Sequence, residues 1–162
     1  MKNIDIVLND FLVQQNLHDE LCACFKPNSD SYYRESMVEG VNSLVVLGGL
    51  TNERADKLFM EYCGELGLEV PVSVETMSFL HEVSHHITMP FLDEDELNES
   101  EFIKLTLCIT EDESDEAYME YFKCPIEYEA TNDAVKFCNA CPEVVKKLDK
   151  DILEALYGNE VK

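Results

Sequence analysis

Apolar residues recur at intervals of three or four along most of this chain, a pattern typical of amphipathic helices. The first such segment, residues 4–25, predicts a helix that the polar sequence KPNSDS ends. The segment YYRESM predicts a short strand, and GVNSLVVLGG, which contains β-branched residues and is bounded by glycines, predicts a buried strand. The N-terminal third is therefore predicted to be one helix followed by a small sheet.

The remaining two thirds predict helices separated by short breaks. A helix over residues 51–67 is capped by Thr51 or Asn52 and ended by Gly67, after which Pro71 keeps the chain extended. Helical apolar patterns with proline starts or a glycine stop predict three further helices near the C-terminus: residues 111–124, 125–141 and 142–158.

The middle of the chain contains one more helix and an acidic segment. The sequence ETMSFLHEVSHHITM predicts a helix that Ser73 or Glu75 begins and Pro90 ends. Residues 93–101, DEDELNESE, predict a connection, and FIKLTLCI predicts a short apolar run. The sequence has no internal repeat and no linker long enough to divide domains. We therefore predict an α+β fold, mostly helical with a sheet of two or three strands, in a single domain over residues 1–162.

The chain is strongly acidic, with 34 aspartates and glutamates, 12 lysines and arginines, and a formal net charge of −22. Nucleic-acid binding needs basic side chains that displace counterions from phosphates, so we predict no direct nucleic-acid binding. The same electric field favours cations, basic protein partners, or a protein whose own nucleic-acid site is basic. A high charge also keeps a protein soluble without any partner.

We expect a cytoplasmic protein without a secretory signal or membrane span. The N-terminal segment lacks an uninterrupted apolar run, and no segment approaches the roughly 18 apolar residues of a transmembrane helix. The seven cysteines are odd in number and mostly lie in apolar contexts, which predicts reduced core thiols. The sequence CNAC has the spacing of half a zinc knuckle, but no second well-spaced pair accompanies it.

Three of the four histidines lie in the sequence LHEVSHH, in which His81, Glu82 and His85 fit the pattern HExxH. Residues four apart lie on one face of a helix, so both imidazoles of the motif can reach one metal ion. Glu82 is rotated by about 100° from His81 and can act as a general base without being a ligand. His86 lies off the metal face and is predicted to be a neighbour. Because HExxH also arises by chance, the alternative is a set of histidines that binds no metal.

A catalytic zinc ion needs a third protein ligand and one open position. The longer pattern HExxHxxGxxH fails at Thr88 and Phe91, and no histidine follows, so we predict a carboxylate ligand. On the helix over residues 125–141, Ala130 and Ala134 mark the inward face, and Glu127 lies at the edge of that face.

Glu127 is therefore the predicted third ligand. Glu129 is the alternative, because Glu129 and Asp133 have a spacing in which the aspartate orients a ligating histidine. The acidic residues of 93–101 are less suitable, since they are predicted to lie in a loop close to the first ligand helix.

The sequence LHEVSHHIT, followed downstream by PIEYEATNDAV, resembles the HExxH … ExxA arrangement of the zincin metallopeptidases. Within them it is most similar to the small single-domain ImmA/IrrE-like group and related bacterial and phage proteins, over residues 70–140. The resemblance implies Zn2+ bound by His81, His85 and Glu127, with Glu82 activating the water bound to zinc.

The chain departs from that group at several positions. The group often has glycine where Ser84 stands, and an asparagine and an aromatic residue where Thr131 and Asp133 stand. The motif assigns no residue that stabilises the oxyanion, which leaves three candidate tyrosines: Tyr118, Tyr121 and Tyr128.

These observations predict a zinc-dependent metallopeptidase with a narrow protein substrate, because a chain of this length has little room for an extended cleft. The alternative is a non-catalytic acidic interaction protein on a zincin scaffold. In its strongest form it mimics a nucleic acid and inhibits a basic DNA- or RNA-binding partner, as phage-encoded inhibitors do. The net charge favours this alternative, whereas the intact motif opposes it, since a mimic needs no water-activating Glu82.

Overall fold

The computed structural model describes residues 2–158, which begin with one helix and a three-stranded mixed sheet. These elements are α1 (Ile4–Gln14), β1 (Leu21–Lys26), β2 (Tyr32–Arg34) and β3 (Ser43–Gly48). Strand β3 is central and pairs parallel with β1 and antiparallel with β2. The predicted small sheet is confirmed, and β2 is its short outer strand on the side of the candidate site.

Six α-helices follow within the described part of the chain: α2 (Glu53–Glu65), α3 (Val74–Thr88), α4 (Glu94–Thr110), α5 (Asp115–Lys123), α6 (Pro125–Ala140) and α7 (Pro142–Tyr157). A single 3-10 turn, Met89–Phe91, follows α3. The predicted α+β, mostly helical fold is thus confirmed. None of the described helices combines the length and the apolar character needed to cross a membrane.

The prediction of an N-terminal helix over residues 4–25 is wrong in its C-terminal part, which forms β1. Asn16 adopts a left-handed conformation with φ of 58° just after α1, a conformation that asparagine tolerates better than most residues. The Asn9 side chain then accepts from the N–H of Ala23 and donates to its C=O, at 3.0 and 2.7 Å. These bonds satisfy the outer edge of β1, so tertiary pairing outweighs the helical pattern of the sequence.

The prediction of a connection over residues 93–101 is also wrong, because that segment and the apolar run after it form the single helix α4. Asp93 accepts a hydrogen bond from the N–H of Glu96, and the Glu96 side chain accepts one from the N–H of Asp93. This reciprocal capping box, together with acidic residues in the first turn, stabilises a helix start. The many acidic residues therefore form a helix terminus and not a loop.

Helix α3 lies at the centre of the molecule, packed against α6, α7 and the sheet. Ala130 and Ala134 of α6 are fully buried, which confirms the predicted inward face and allows α6 to approach α3 closely. The prediction of core cysteines is confirmed for three residues, Cys63, Cys124 and Cys138. It is wrong for Cys22 and Cys108, which are exposed because they lie on the outward face of β1 and on the solvent side of α4.

Candidate metal centre

The start of α3 is fixed to α7 by a part-buried group of hydrogen bonds. Ser73 caps α3 through the N–H of Thr76, which decides between the two predicted helix starts. The Asp149 carboxylate on α7 accepts from the Ser73 N–H and hydroxyl at 3.1 and 2.5 Å, and from the Thr76 hydroxyl at 2.6 Å. The first turn of α3 therefore cannot slide or rotate without breaking these bonds.

Two turns further along α3, the side chains of His81 and His85 meet Glu127 of α6. The Glu127 Oε2 atom lies 2.7 Å from His81 Nε2 and 3.1 Å from His85 Nε2. These residues form the one group of three or more metal-ligating side chains found among residues 2–158, with ligand atoms within 4.8 Å of one another. The structure therefore brings together the three residues predicted as ligands, and the group could hold a metal ion.

The other oxygen of Glu127 is held by two different side chains. Lys104 Nζ of α4 and the Tyr121 hydroxyl of α5 donate to Glu127 Oε1 at 2.8 and 3.2 Å. Of the three tyrosines left open by the sequence, Tyr121 thus lies at the site. Tyr118 instead accepts from the Asn52 amide at 3.2 Å, and Tyr128 is not among the residues that border the site.

Glu127 is ionised in this environment. Burial alone raises its pKa, but the hydrogen bonds and charges of His81 and His85 outweigh burial, so the pKa lies well below its usual range. The carboxylate therefore presents a deprotonated oxygen to the two imidazoles. A metal ion requires its carboxylate ligands to be in this deprotonated state.

Glu82 lies beside this group and is not part of it. Its side chain is buried, and its Oε2 atom is 3.8 Å from His85 Nε2. Burial raises the pKa of Glu82 to about 7, with His85 and Lys104 lowering it and Glu127 raising it. In the metal-free protein Glu82 therefore exchanges a proton near neutral pH, as a general base does.

Thr131 orients His81 from behind. Its hydroxyl lies 3.0 Å from His81 Nδ1 and 2.9 Å from the backbone C=O of Glu127. The hydroxyl has a single proton, and helical threonines commonly donate it to the carbonyl four residues earlier. In that arrangement Thr131 accepts from the Nδ1–H of His81 and keeps Nε2 directed at the ligand group, where Nε2 donates to the Glu127 carboxylate in the metal-free protein and would bind a metal ion as the Nδ1–H tautomer. This tautomer suits metal binding, so the donor set fits a metal ion.

His85 lacks such a partner. Its Nδ1 atom is buried without a hydrogen bond among the described residues, while the ring stacks on Tyr33 with centroids 6.3 Å apart. His86, which the sequence predicted to be a neighbour and not a ligand, lies outside the ligand group. Its Nδ1 atom forms a 2.9 Å hydrogen bond with the Tyr33 hydroxyl. His81 is therefore the more firmly oriented of the two predicted ligands.

The alternative ligand Glu129 lies outside the group in the described structure, and Asp133 makes no hydrogen bond or ion pair with either histidine there. The orienting role that the sequence assigned to an aspartate falls to Thr131, one turn after Glu127. Lys104 was not predicted at the site at all. The sequence contained no signal for it, because residues around it were interpreted as a connection and a short apolar run.

A cavity of about 270 Å³ opens onto the ligand group. It is bordered by Glu82, His85, Glu127, Lys104 and Tyr121, and on the opposite side by residues of the outer strand β2. The space beside the two carboxylates is therefore accessible to a small group such as a peptide bond.

Comparison with known proteins identifies no relative of this chain. No protein-family model, curated protein or solved structure matches it. The resemblance to the zincin metallopeptidases therefore depends on the motif residues, and the chemistry of the site is argued from its geometry.

Proposed function

We propose that this protein is a zinc-dependent hydrolase of the zincin type that cleaves a peptide bond in a narrow range of protein substrates. The observation that supports this most is the convergence of His81, His85 and Glu127 with a buried, non-ligating Glu82 beside them. Two histidines and one glutamate are a ligand set found in zinc peptidases. Three protein ligands leave the fourth coordination position of the zinc ion open for a water molecule or the substrate.

In this proposal each residue has a separate task. A bound Zn2+ ion supplies Lewis acidity and makes a water molecule more acidic. Glu82 accepts the proton that the attacking water loses and returns it to the leaving amine, because its carboxyl is buried and close to the site. Lys104 and Tyr121 hold Glu127 Oε1, so that Oε2 stays directed at the histidines.

A non-catalytic interaction protein is the second candidate. The net charge of −22 favours it. The two candidates differ in what they require of the site. Only the hydrolase needs a metal ion and an ionisable residue at position 82.

Metal content is the first measurement, made by elemental mass spectrometry on protein purified without a metal-affinity tag. We expect about one zinc per chain, with zinc affinity reduced at least about 100-fold in His81→Ala and Glu127→Ala, because each removes one of three ligands. Glu129→Ala, on the same helix, is the matched control and should retain zinc. Absence of stoichiometric zinc after zinc addition would contradict the metal site and favour the interaction protein.

Turnover is tested with Glu82→Gln, read out by mass spectrometry of a peptide mixture before and after incubation. This variant should keep its zinc and lose hydrolysis by at least about 100-fold, because it lacks the general base. Hydrolysis that persists in the variant would exclude the proposed role of Glu82.

A further inference from the structure

A second cavity, of about 640 Å³, lies next to the candidate metal centre. Ser31 and Tyr121 border both this cavity and the smaller one at the ligand group. Tyr121 places its hydroxyl on Glu127 Oε1 while its side chain forms part of the wall of the larger cavity. The two cavities therefore adjoin at Tyr121 and Ser31.

The wall of this larger cavity combines two kinds of surface. Part of it is apolar, formed by side chains from β1, β3, α4, α5 and α7: Phe25, Leu47, Leu107, Phe122 and Leu156. The other part is acidic, formed by residues from two loops and two helices: Asp30, Asp56, Glu75 and Asp112. Within residues 2–158 no lysine, arginine or histidine borders the cavity. We refer to it as the acidic cavity.

The Asp56 carboxylate lies close enough to two of the others, Glu75 and Asp30, for their charges to act on it. Burial raises the pKa of Asp56, a backbone hydrogen bond at Asn52 lowers it, and the charges of Glu75 and Asp30 raise it again. Glu75 accepts a hydrogen bond from the Tyr157 hydroxyl at 2.8 Å. No ion pair in the described part of the chain involves Asp30, Asp56 or Glu75. No opposite charge among the described residues therefore offsets the repulsion on Asp56, and a cation beside these carboxylates would relieve it.

We propose that the acidic cavity binds a lysine or arginine side chain of the substrate, beside the peptide bond that is cleaved at the metal centre. The apolar wall suits the methylene stem of such a side chain, and the carboxylates suit its charged end. A volume of 640 Å³ accommodates one long side chain with its flanking backbone. The cleavage rests on the proposed hydrolase function, whereas the binding of the side chain does not require a metal ion.

Binding is tested with N-acetyl-arginine methylamide and its uncharged citrulline analogue, titrated into the full-length protein and followed by NMR. The arginine probe should shift amide signals of residues around the cavity, such as Ala55 and Ser78. Because the carboxylates recognise charge, the citrulline probe should bind at least about ten-fold more weakly. The double variant Asp56→Asn/Glu75→Gln should lose the difference between the probes.

The matched control for that variant is Asp19→Asn/Glu99→Gln, which removes the same charge from residues that do not border the cavity. If this control loses the preference for arginine equally, the net charge of the protein and not the cavity is responsible, and the proposal is wrong. Equal binding of both probes to the unmodified protein would overturn it as well.

A cleavage experiment separates this proposal from the proposed function. In peptides cleaved by the zinc-loaded protein, lysine or arginine should occur at one fixed distance from the cleaved bond, and Asp56→Asn/Glu75→Gln should cleave with that preference reduced at least about ten-fold. Cleavage without any such preference would overturn the cavity assignment and leave the hydrolase intact. Selective arginine binding without zinc or cleavage would leave the cavity assignment intact and remove the hydrolase.

Discussion

Helices α3 and α4 both contribute to the candidate site, yet they are held in the protein in opposite ways. They have similar lengths, 15 and 17 residues, and each begins with a side-chain cap, at Ser73 and Asp93. Helix α3 buries eight residues, including Glu82 and His85, whereas α4 buries only Ser100. The two histidines of the ligand group therefore lie on the more deeply buried of the two helices.

The exposed helix is attached to α6 through two polar side chains one turn apart. The Ser100 hydroxyl accepts from the Ile126 N–H at 3.0 Å, and Lys104 donates to Glu127 at 2.8 Å. Its apolar residues Phe102 and Ile109 are 71% and 72% exposed. The geometry of the two histidines therefore comes from core packing, whereas the positive charge beside Glu127 comes from a helix that few apolar contacts hold in place.

The two helices should differ most in how much one phenylalanine on each contributes to the free energy of unfolding. Phe79→Ala on α3 should lower the free energy of unfolding by about 3–5 kcal/mol, because the ring is fully buried and leaves a cavity. Phe102→Ala on α4 should change it by no more than about 0.5 kcal/mol, since the ring is mostly in solvent. Urea unfolding of both variants measures this. A large loss for Phe102→Ala would show that the α4 face is covered in solution and would break the comparison.

The second expected effect is a pH-dependent stability difference caused by the buried carboxyl of α3. The folded pKa of Glu82, about 7, lies above its ordinary value of 4.5, so the folded state binds the proton more tightly than the unfolded state. Stability therefore falls as pH rises from about 4.5 through about 7. The Glu82→Gln variant has no carboxyl at this position to ionise, so it does not lose this stability. In the metal-free state it should be more stable than the unmodified protein by about 3 kcal/mol at pH 8, and equally stable at pH 4.

Urea unfolding at both pH values, with zinc removed by a chelator, gives this difference directly. Glu99→Gln on the exposed face of α4 is the matched control and should follow the pH dependence of the unmodified protein. Parallel pH dependence of Glu82→Gln and the unmodified protein would mean that the Glu82 carboxyl is not buried as described.

The smallest expected effect concerns the contact between the two regions, Lys104 with Glu127. A double-mutant cycle with Lys104→Met and Glu127→Gln should give a coupling of about 1–2 kcal/mol in the unfolding free energy of the metal-free protein, because Glu127 is buried. The exposed pair Lys147 and Asp151 should give about 0.3–0.5 kcal/mol. Equal couplings would show that Lys104 remains solvated and does not belong to the site.

The ligand group could be predicted from the sequence because the patterns that indicate it lie within single helices. The interval of four residues between His81 and His85 fixes both on one helical face, and the apolar residues around them orient that face. Glu127 was accessible to the same argument, since Ala130 and Ala134 mark the inward face of its helix. Short-range periodicity therefore placed the histidines and Glu127 on the correct faces of their helices, although it left Glu129 open as an alternative.

The remaining features depend on contacts that periodicity does not encode. Strand β1 forms where a helix was predicted, because its edge is satisfied by the side chain of Asn9 and its other edge by β3. Helix α4 has no clear apolar stripe, so its pattern indicated a loop and then an apolar run, and Lys104 was missed with it. The sequence showed Thr131 as a departure from the zincin group that the chain resembles. Only the structure shows that its hydroxyl lies within hydrogen-bond distance of His81 Nδ1.

The hydrogen bonds from Ser73 and Thr76 to Asp149 also limit which insertions and deletions the chain can tolerate. Because they fix the rotational phase of α3 at its first turn, each residue added or removed between Ser73 and His81 turns both histidines by about 100° relative to Glu127. The interval of eight residues from the cap Ser73 to His81 therefore sets the position of the histidines relative to Glu127. A change in this length would therefore disrupt the ligand group even where the side chains along the interval keep their packing.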